Sequence, residues 1–398
     1  MSFSPHRATR ATCRGGWLVY HVGDRLILQR TPGCGGSRRE EAKVKEILLM
    51  PHGAPTCHDH RPGTPAGDLV VGTSTGDVFV LVLEEQWKEA STSKLVGGIH
   101  LVAENNPTGV KNRCMDVAWS PKGDGSFVVA HQDGSLHLFQ KRGSSLGDGL
   151  QDDKSEGTLM RLGSYGRRGT VEQSNHMDRM QVCAAPIHAL CFSPDGKALA
   201  TACGDGVLRV WDLERRQLLY GFSSFYGAFL CCTWSNDGKY IAAGGEDDTV
   251  TIYSVMERTT VVWGEGHDSF VSAVAFDDWF VSPEATVVAG APANVKTYRL
   301  ASAGQDTKVC LWELRVQEDE NGVDTPDQVV EVGDRIQPPP CRSDMCFLAP
   351  LCEHKLHQEP LSFVGFTEDA LLTCCHGGQV RIWDRPPIEH ARSPRSPP

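Results

Sequence analysis

The chain has 398 residues, 40% of them hydrophobic, with 41 glycines, 23 prolines and a formal net charge of −11. That composition supplies a core and suits a turn-rich β protein with unstructured insertions. The negative charge repels a phosphate backbone or an anionic bilayer, so neither nucleic acid nor membrane is expected as the main partner, and a protein is.

The first residues, MSFSPHRATRATCRGG, lack an apolar h-region, and no apolar run reaches the roughly eighteen residues of a membrane span; the reading is a soluble protein of the cytoplasm or nucleus. Arg7, Arg10 and Arg14 precede the first acidic residue, Asp24, a faint transit-peptide signal that a disordered basic leader explains better. The fifteen cysteines read as reduced thiols, several on apolar strand positions such as Cys191, Cys231, Cys232 and Cys310, and no disulfide is expected.

Residues 1–50 read as a leader in which GWLVYHVGDRLILQR and VKEILLM alternate like strands, candidates to pair with the chain after Trp383 and close a ring. Next comes PHGAPTCHDH, with His52, Cys57, His58 and His60 at irregular spacing. From there one recipe recurs: an alternating strand, a Ser-Pro-Asp-Gly type turn, a small-residue strand, a tight Asp/Gly turn and a strand ending in a large aromatic. The copies are LVVGTSTGDVFVLVL, VAWSPKGDGSFVVAHQDGSLHLFQ, CFSPDGKALATACGDGVLRVWDLERR, CTWSNDGKYIAAGGEDDTVTIYS, YRLASAGQDTKVCLWEL and SFVGFTEDALLTCCHGGQVRIWD.

Tyr253 follows Trp211 by 42 positions, the length of one propeller blade. A small twisted sheet cannot bury both faces alone, and radial stacking solves this because each sheet covers its neighbour. The fixed offset between turn and closing aromatic argues against a sandwich of short strands. Six units are readable and the N-terminal strands allow a seventh, so the expected fold is an all-β WD40 β-propeller of seven blades. It spans residues 51–386, with a disordered tail at 387–398 where Ser393 and Ser396 each precede a proline. Insertions at about Lys141–Cys183, Asp277–Lys296 and Arg315–Phe347 are rich in Gly, Ser, Pro and charge and are expected to be loops.

WD40 units often bury a hydrogen-bonded set of Asp, His, Ser or Thr and Trp, because a buried indole donor and a buried carboxylate both need partners. The unit ending at Trp312 has all four, as His267, Ser302, Asp306 and Trp312. The unit ending at Trp211 has Thr201 and Asp205 but no matching histidine, and the next has Asp247 with Ala243 and Tyr253. Ser302, His267 and Asp306 mimic a catalytic triad, but no G-x-S-x-G elbow surrounds the serine, so the set is read as structural and no catalytic residue is expected. Cys341, Cys346, Cys352, His354 and His357 form a second Cys/His cluster. Neither it nor the cluster at His52 has zinc-site spacing, and no metal or other cofactor is expected. The loops carrying Phe225, Tyr226, Glu246, Asp248 and Phe270 open on one face and mix aromatics with carboxylates, the composition of a protein-binding hot spot.

PTCHDH, GDLVVGTSTGDVF, GGEDDTVTIYS, GQDTKVCLW and LAPLCEHKLHQEPLSFVGFTEDALLTCCHGGQVRIWDRP occur in that order between about Pro55 and Pro386. This combination resembles the family of WD repeat-containing protein 20, which also includes the dystrophia myotonica WD repeat protein and the fungal catabolite-repression WD40 protein. The first fifty residues and the insertions after Phe139 and Trp312 depart from it. The resemblance implies a non-enzymatic subunit that binds a ubiquitin-specific protease and raises its activity or stability, often beside a second WD40 protein. The alternative is a substrate receptor of a cullin-RING ubiquitin ligase or another scaffold. Such receptors typically show Trp-Asp-x-Arg, whereas this chain has Trp211-Asp212-Leu213-Glu214 and Trp383-Asp384-Arg385-Pro386.

Overall fold

The computed structural model describes residues 11–14, 16–30, 44–49, 51–61, 63–64, 67–88, 95, 98–101, 111–141, 178–280, 295–317 and 335–385. The tail with Ser393 and Ser396, the arginine-rich first ten residues and the middle of each insertion lie outside them.

The Ser-Pro-Asp-Gly turns fold as their chemistry requires. Ser193 Oγ donates to Asp195 Oδ1 at 2.6 Å and accepts the Ala198 N–H at 2.9 Å. Gly196 takes φ +69°, which closes the turn without a Cβ clash. Ser235, Asp237 and Gly238 repeat this arrangement one blade later. Antiparallel strands flank each turn, and six blades carry the same register shift between their first two strands, as at Ile187/Ala189 and Val271/Ala273.

Seven sheets result, numbered here as blades 1 to 7 in chain order: residues 11–48, 55–101, 114–181, 187–223, 229–265, 271–317 and 361–384, with added strands in three of them. Seven apolar clusters join them, each shared by two neighbours. Phe222 of blade 4 packs with Phe229 and Tyr253 of blade 5, and Val250 and Ile252 of blade 5 with Leu300 and Trp312 of blade 6. The smallest joins Leu372 and Cys374 of blade 7 to Ala11 and Leu18 of blade 1 and completes the circle. A short α-helix, Leu83–Lys88, follows the third strand of blade 2. No helix among the described residues is long and apolar enough to cross a membrane.

Two sequence expectations are corrected. Among the described residues, the strands between Ala11 and Leu48 pair with one another in a four-stranded sheet and not with the strand that holds Trp383, and the ring closes by face packing between blades 7 and 1. The tight turn at Gly23 and Asp24 lets Trp17–Val22 and Arg25–Arg30 satisfy each other, so the leader needs no distant strand. Nor are the insertions all loop. The first ends in Asp178–Gln181, the outer strand of blade 3. The third runs back along the rim: Ile336–Gln337 pairs parallel with blade 4 and Cys346–Leu348 parallel with blade 5. Cys352–Lys355 then becomes the fourth strand of blade 6. An outer strand presents unpaired backbone groups, and this polar segment satisfies them with its own backbone, independently of side-chain pattern.

Candidate functional site, the loop face of blades 4 to 7

Within each blade the start of the first strand, the end of the second and the start of the third lie at one end, so the loops preceding blades and the Asp/Gly turns share one face. On blade 6 this end is locked. Trp312 Nε1 donates to Ser302 Oγ at 2.9 Å, Ser302 lies 2.7 Å from His267 Nε2, and His267 Nδ1 lies 3.1 Å from Asp306. One proton order satisfies every atom: indole N–H to hydroxyl oxygen, hydroxyl to Nε2, Nδ1–H to carboxylate. Asp306 also accepts the Asp268 and Lys308 N–H groups at 2.9 and 3.0 Å. Burial works to raise its pKa, but these donors and the His267 ring hold it below the usual carboxylate value. Gly304 makes room, since a Cβ there would stand 2.4 Å from His267 Nδ1. Ser302 is 0% exposed and its oxygen already accepts the indole proton, a geometry that offers no path to a substrate carbonyl.

The register locates the same positions elsewhere. In blade 7 they are His357, Thr373, Gly377 and Trp383. His357 Nε2 lies 2.8 Å from Thr373 Oγ1, which accepts Trp383 Nε1–H at 3.0 Å. With glycine at the aspartate position, His357 Nδ1 is buried without a hydrogen-bond partner. Burial, then the nearby Arg381, push its pKa down to about 4. His357 therefore belongs to a blade lock and not to a metal cluster, an assignment legible from its place four residues before Leu361, as His267 is four before Val271. In blade 4, Trp211 Nε1 donates to Thr201 Oγ1 at 3.3 Å, Cys183 stands where the histidine would be, and Asp205 is engaged by Arg209 through two bonds of 2.9 and 2.6 Å. In blade 5 the histidine position is Phe225.

The remaining Cys/His candidates scatter. Cys341, Cys346 and His354 are exposed. Cys57 is buried, His58 lies 3.1 Å from the Val19 carbonyl oxygen, and His60 is buried in the blade interior. Among the described residues, ligand-type atoms converge in threes only at His52, Asp77 and His100 and at Cys183, Cys203 and Asp205.

The five candidate contact residues sit together on the loop face of blades 4 to 6 with different exposures. Tyr226 projects, 75% exposed. Phe225 and Phe270 are half-buried. Glu246 holds its neighbouring loop by accepting the Ala228 N–H at 3.0 Å. Asp248 has φ +61°, and burial together with Asp306 raises its pKa. The rim segment adds what sequence reading missed: the Arg342 guanidinium, in the turn between the two rim strands, lies 4.8 Å from the Phe225 ring centre and 4.5 Å from that of Trp263. Phe347, 55% exposed, stands 5.6 Å from Trp263. Beside this aromatic row a cleft of about 420 Å3 is lined by Asp247, Asp248, Glu265, His267, Asp268, Lys308 and Glu353. The surface is acidic with projecting aromatic rings, suited to a protein segment that brings apolar and basic side chains.

The model of the WD domain, G-beta repeat, matches residues 218–254, the last strand of blade 4 through the third strand of blade 5. The chain is a seven-bladed WD40 β-propeller. The model of the β-propeller domain of nucleoporin Nup120/160 matches residues 57–225. A chain of the crystal structure of the mitotic checkpoint complex superposes on this propeller with a TM-score of 0.61, covering 95% of this chain and 90% of that one. At 11% identity this is a likeness of fold. The WD40 chain is also 29% identical over 385 residues to the UBP9-binding protein bun62 of Schizosaccharomyces pombe. That alignment takes in 85% of this propeller chain and 66% of the relative, just under two thirds of the relative's length.

Proposed function

We propose that this propeller is a non-catalytic scaffold of the WD repeat-containing protein 20 type, which binds a ubiquitin-specific protease and raises its activity or stability in the cytoplasm or nucleus. The observation that carries the reading is the similarity, over 385 residues, to a protein named for binding UBP9. The loop face supports it, because exposed Tyr226 and Phe347 beside an acidic cleft have the make-up of a protein-binding surface. The buried Ser302 supports the non-catalytic part, since the triad-like set of His267, Ser302 and Asp306 is spent on holding Trp312. A second WD40 protein on the same protease belongs to the same proposal.

The test is affinity purification of the tagged full chain from its native cells with mass spectrometry, followed by ubiquitin cleavage by the recovered protease with and without the chain. The expected result is a ubiquitin-specific protease whose turnover or half-life rises when the chain is present. Recovery of a cullin-RING ligase without any such protease would replace this reading with that of a substrate receptor.

A further inference from the structure

On the loop face of blade 2, far from the surface just described in sequence, three side chains from separate segments converge. His52 lies in the loop before strand Pro55–His60, Asp77 at the turn before Val78–Val82, and His100 in Ile99–Leu101. Their ligand-type atoms all lie within 4.8 Å of one another. His52 Nδ1 is 3.7 Å from Asp77 Oδ2, and His100 Nε2 is 3.6 Å from Asp77 Oδ1. Both separations exceed hydrogen-bonding range, and His100 Nε2 is buried without a hydrogen-bond partner. Around a tetrahedral zinc ion with bonds of ~2.0–2.1 Å, ligand atoms stand roughly 3.3–3.4 Å apart, so three ligand atoms already within 4.8 Å of one another reach one ion by side-chain shifts of about an ångström or less each.

We propose that His52, Asp77 and His100 form a divalent transition-metal site, with zinc as the fitting ion and one coordination position open to solvent or to a partner side chain. Two imidazoles and one carboxylate match the ligand preference of zinc and not that of calcium or magnesium, which take oxygen ligands. The surroundings orient the set as outer-shell partners do: Thr75 Oγ1 donates to Asp77 Oδ2 at 3.0 Å, and Phe79 stacks on His100 at 4.5 Å with the rings 2° from parallel. The spacing of PHGAPTCHDH could not show this site, because its other two ligands are 25 and 48 residues downstream of His52.

The test titrates the chelator-treated full chain with Zn2+ and, separately, with Co2+ as a spectroscopic probe. The site predicts one metal ion per chain, a higher melting temperature on Zn2+ addition, and cobalt d–d bands without thiolate-to-cobalt charge transfer. His52→Gln with His100→Gln should weaken binding by roughly 100-fold or more while the metal-free melt stays cooperative. Asp77→Asn, nearly isosteric, should weaken it as well and serves if the double variant does not fold. No stoichiometric uptake, a charge-transfer band reporting cysteine ligands, or uptake unchanged in these variants would overturn the assignment.

Discussion

His357 Nε2 lies 2.8 Å from the Thr373 hydroxyl, and that oxygen receives the Trp383 indole proton at 3.0 Å, so blade 7 repeats the lock of blade 6 with its last member missing. Gly377 stands where Asp306 stands, and His357 Nδ1 has no acceptor. Gly377→Asp supplies one. The variant should be more stable by about 1 kcal/mol, the net worth of a buried hydrogen bond, read from chemical denaturation. An unchanged or lower midpoint would show that the added carboxylate does not reach the ring.

In blade 6 the reverse change is costly. Asp306→Ala leaves His267 Nδ1 and the Asp268 and Lys308 N–H groups short of their acceptor. The expected loss is on the order of 1–3 kcal/mol, read as a lower thermal midpoint. A wild-type melt would mean the network does not lock the blade.

Stability should fall in mild acid. The His357 pKa is lowered from 6.5 to about 4, so as pH drops the unfolded chain takes up a proton that the folded chain refuses. The contribution of neutral His357 is therefore complete above about pH 6.5 and is lost progressively as pH falls toward 4. His60, His131 and His188 are shifted in the same direction, first by burial. Denaturation midpoints at pH 7 and 4.5 measure the slope, which His357→Gln should flatten.

Thr307 has φ +70° in a turn where the matching residues Gly134, Gly206 and Gly378 have φ between +76° and +80°. A β-branched side chain in the left-handed region is strained by roughly 1–2 kcal/mol. Thr307→Gly should raise stability by about 1 kcal/mol after the entropy cost of glycine. A lower melting temperature would show that the Thr307 side chain makes compensating contacts.

If the loop face binds the protease, Tyr226→Ala with Phe347→Ala should weaken binding by about 2 kcal/mol or more, roughly 30-fold, without moving the melt, because both side chains are exposed. Calorimetry with the purified protease measures it. Full binding by the folded variant would move the interface to another part of the disc.

The blade repeat was legible because its determinants are local. A Ser-x-Asp-Gly turn, a small-residue strand and an aromatic at fixed offset act within one hairpin, so Ser193, Asp195, Gly196 and Trp211 could be read in place, and so could the partnership of His267, Ser302, Asp306 and Trp312. His357 keeps the same offset from Leu361 that His267 keeps from Val271, a signal missed when it is grouped with the neighbouring cysteines in a cluster without zinc-site spacing.

What only the tertiary structure decided depends on pairing at a distance. Residues 11–48 close the circle because Ala11 and Leu18 meet Leu372 and Cys374 across almost the whole chain. Residues 336–348 reach blades 4 and 5 because exposed strand edges accept any backbone in extended form, a condition that leaves no side-chain pattern to read. That detour sets Arg342 between Phe225 and Trp263 and exposes Phe347. The meeting of His52, Asp77 and His100 has the same cause: strand register, which sequence neighbours do not encode, brings three separate segments of blade 2 to one point.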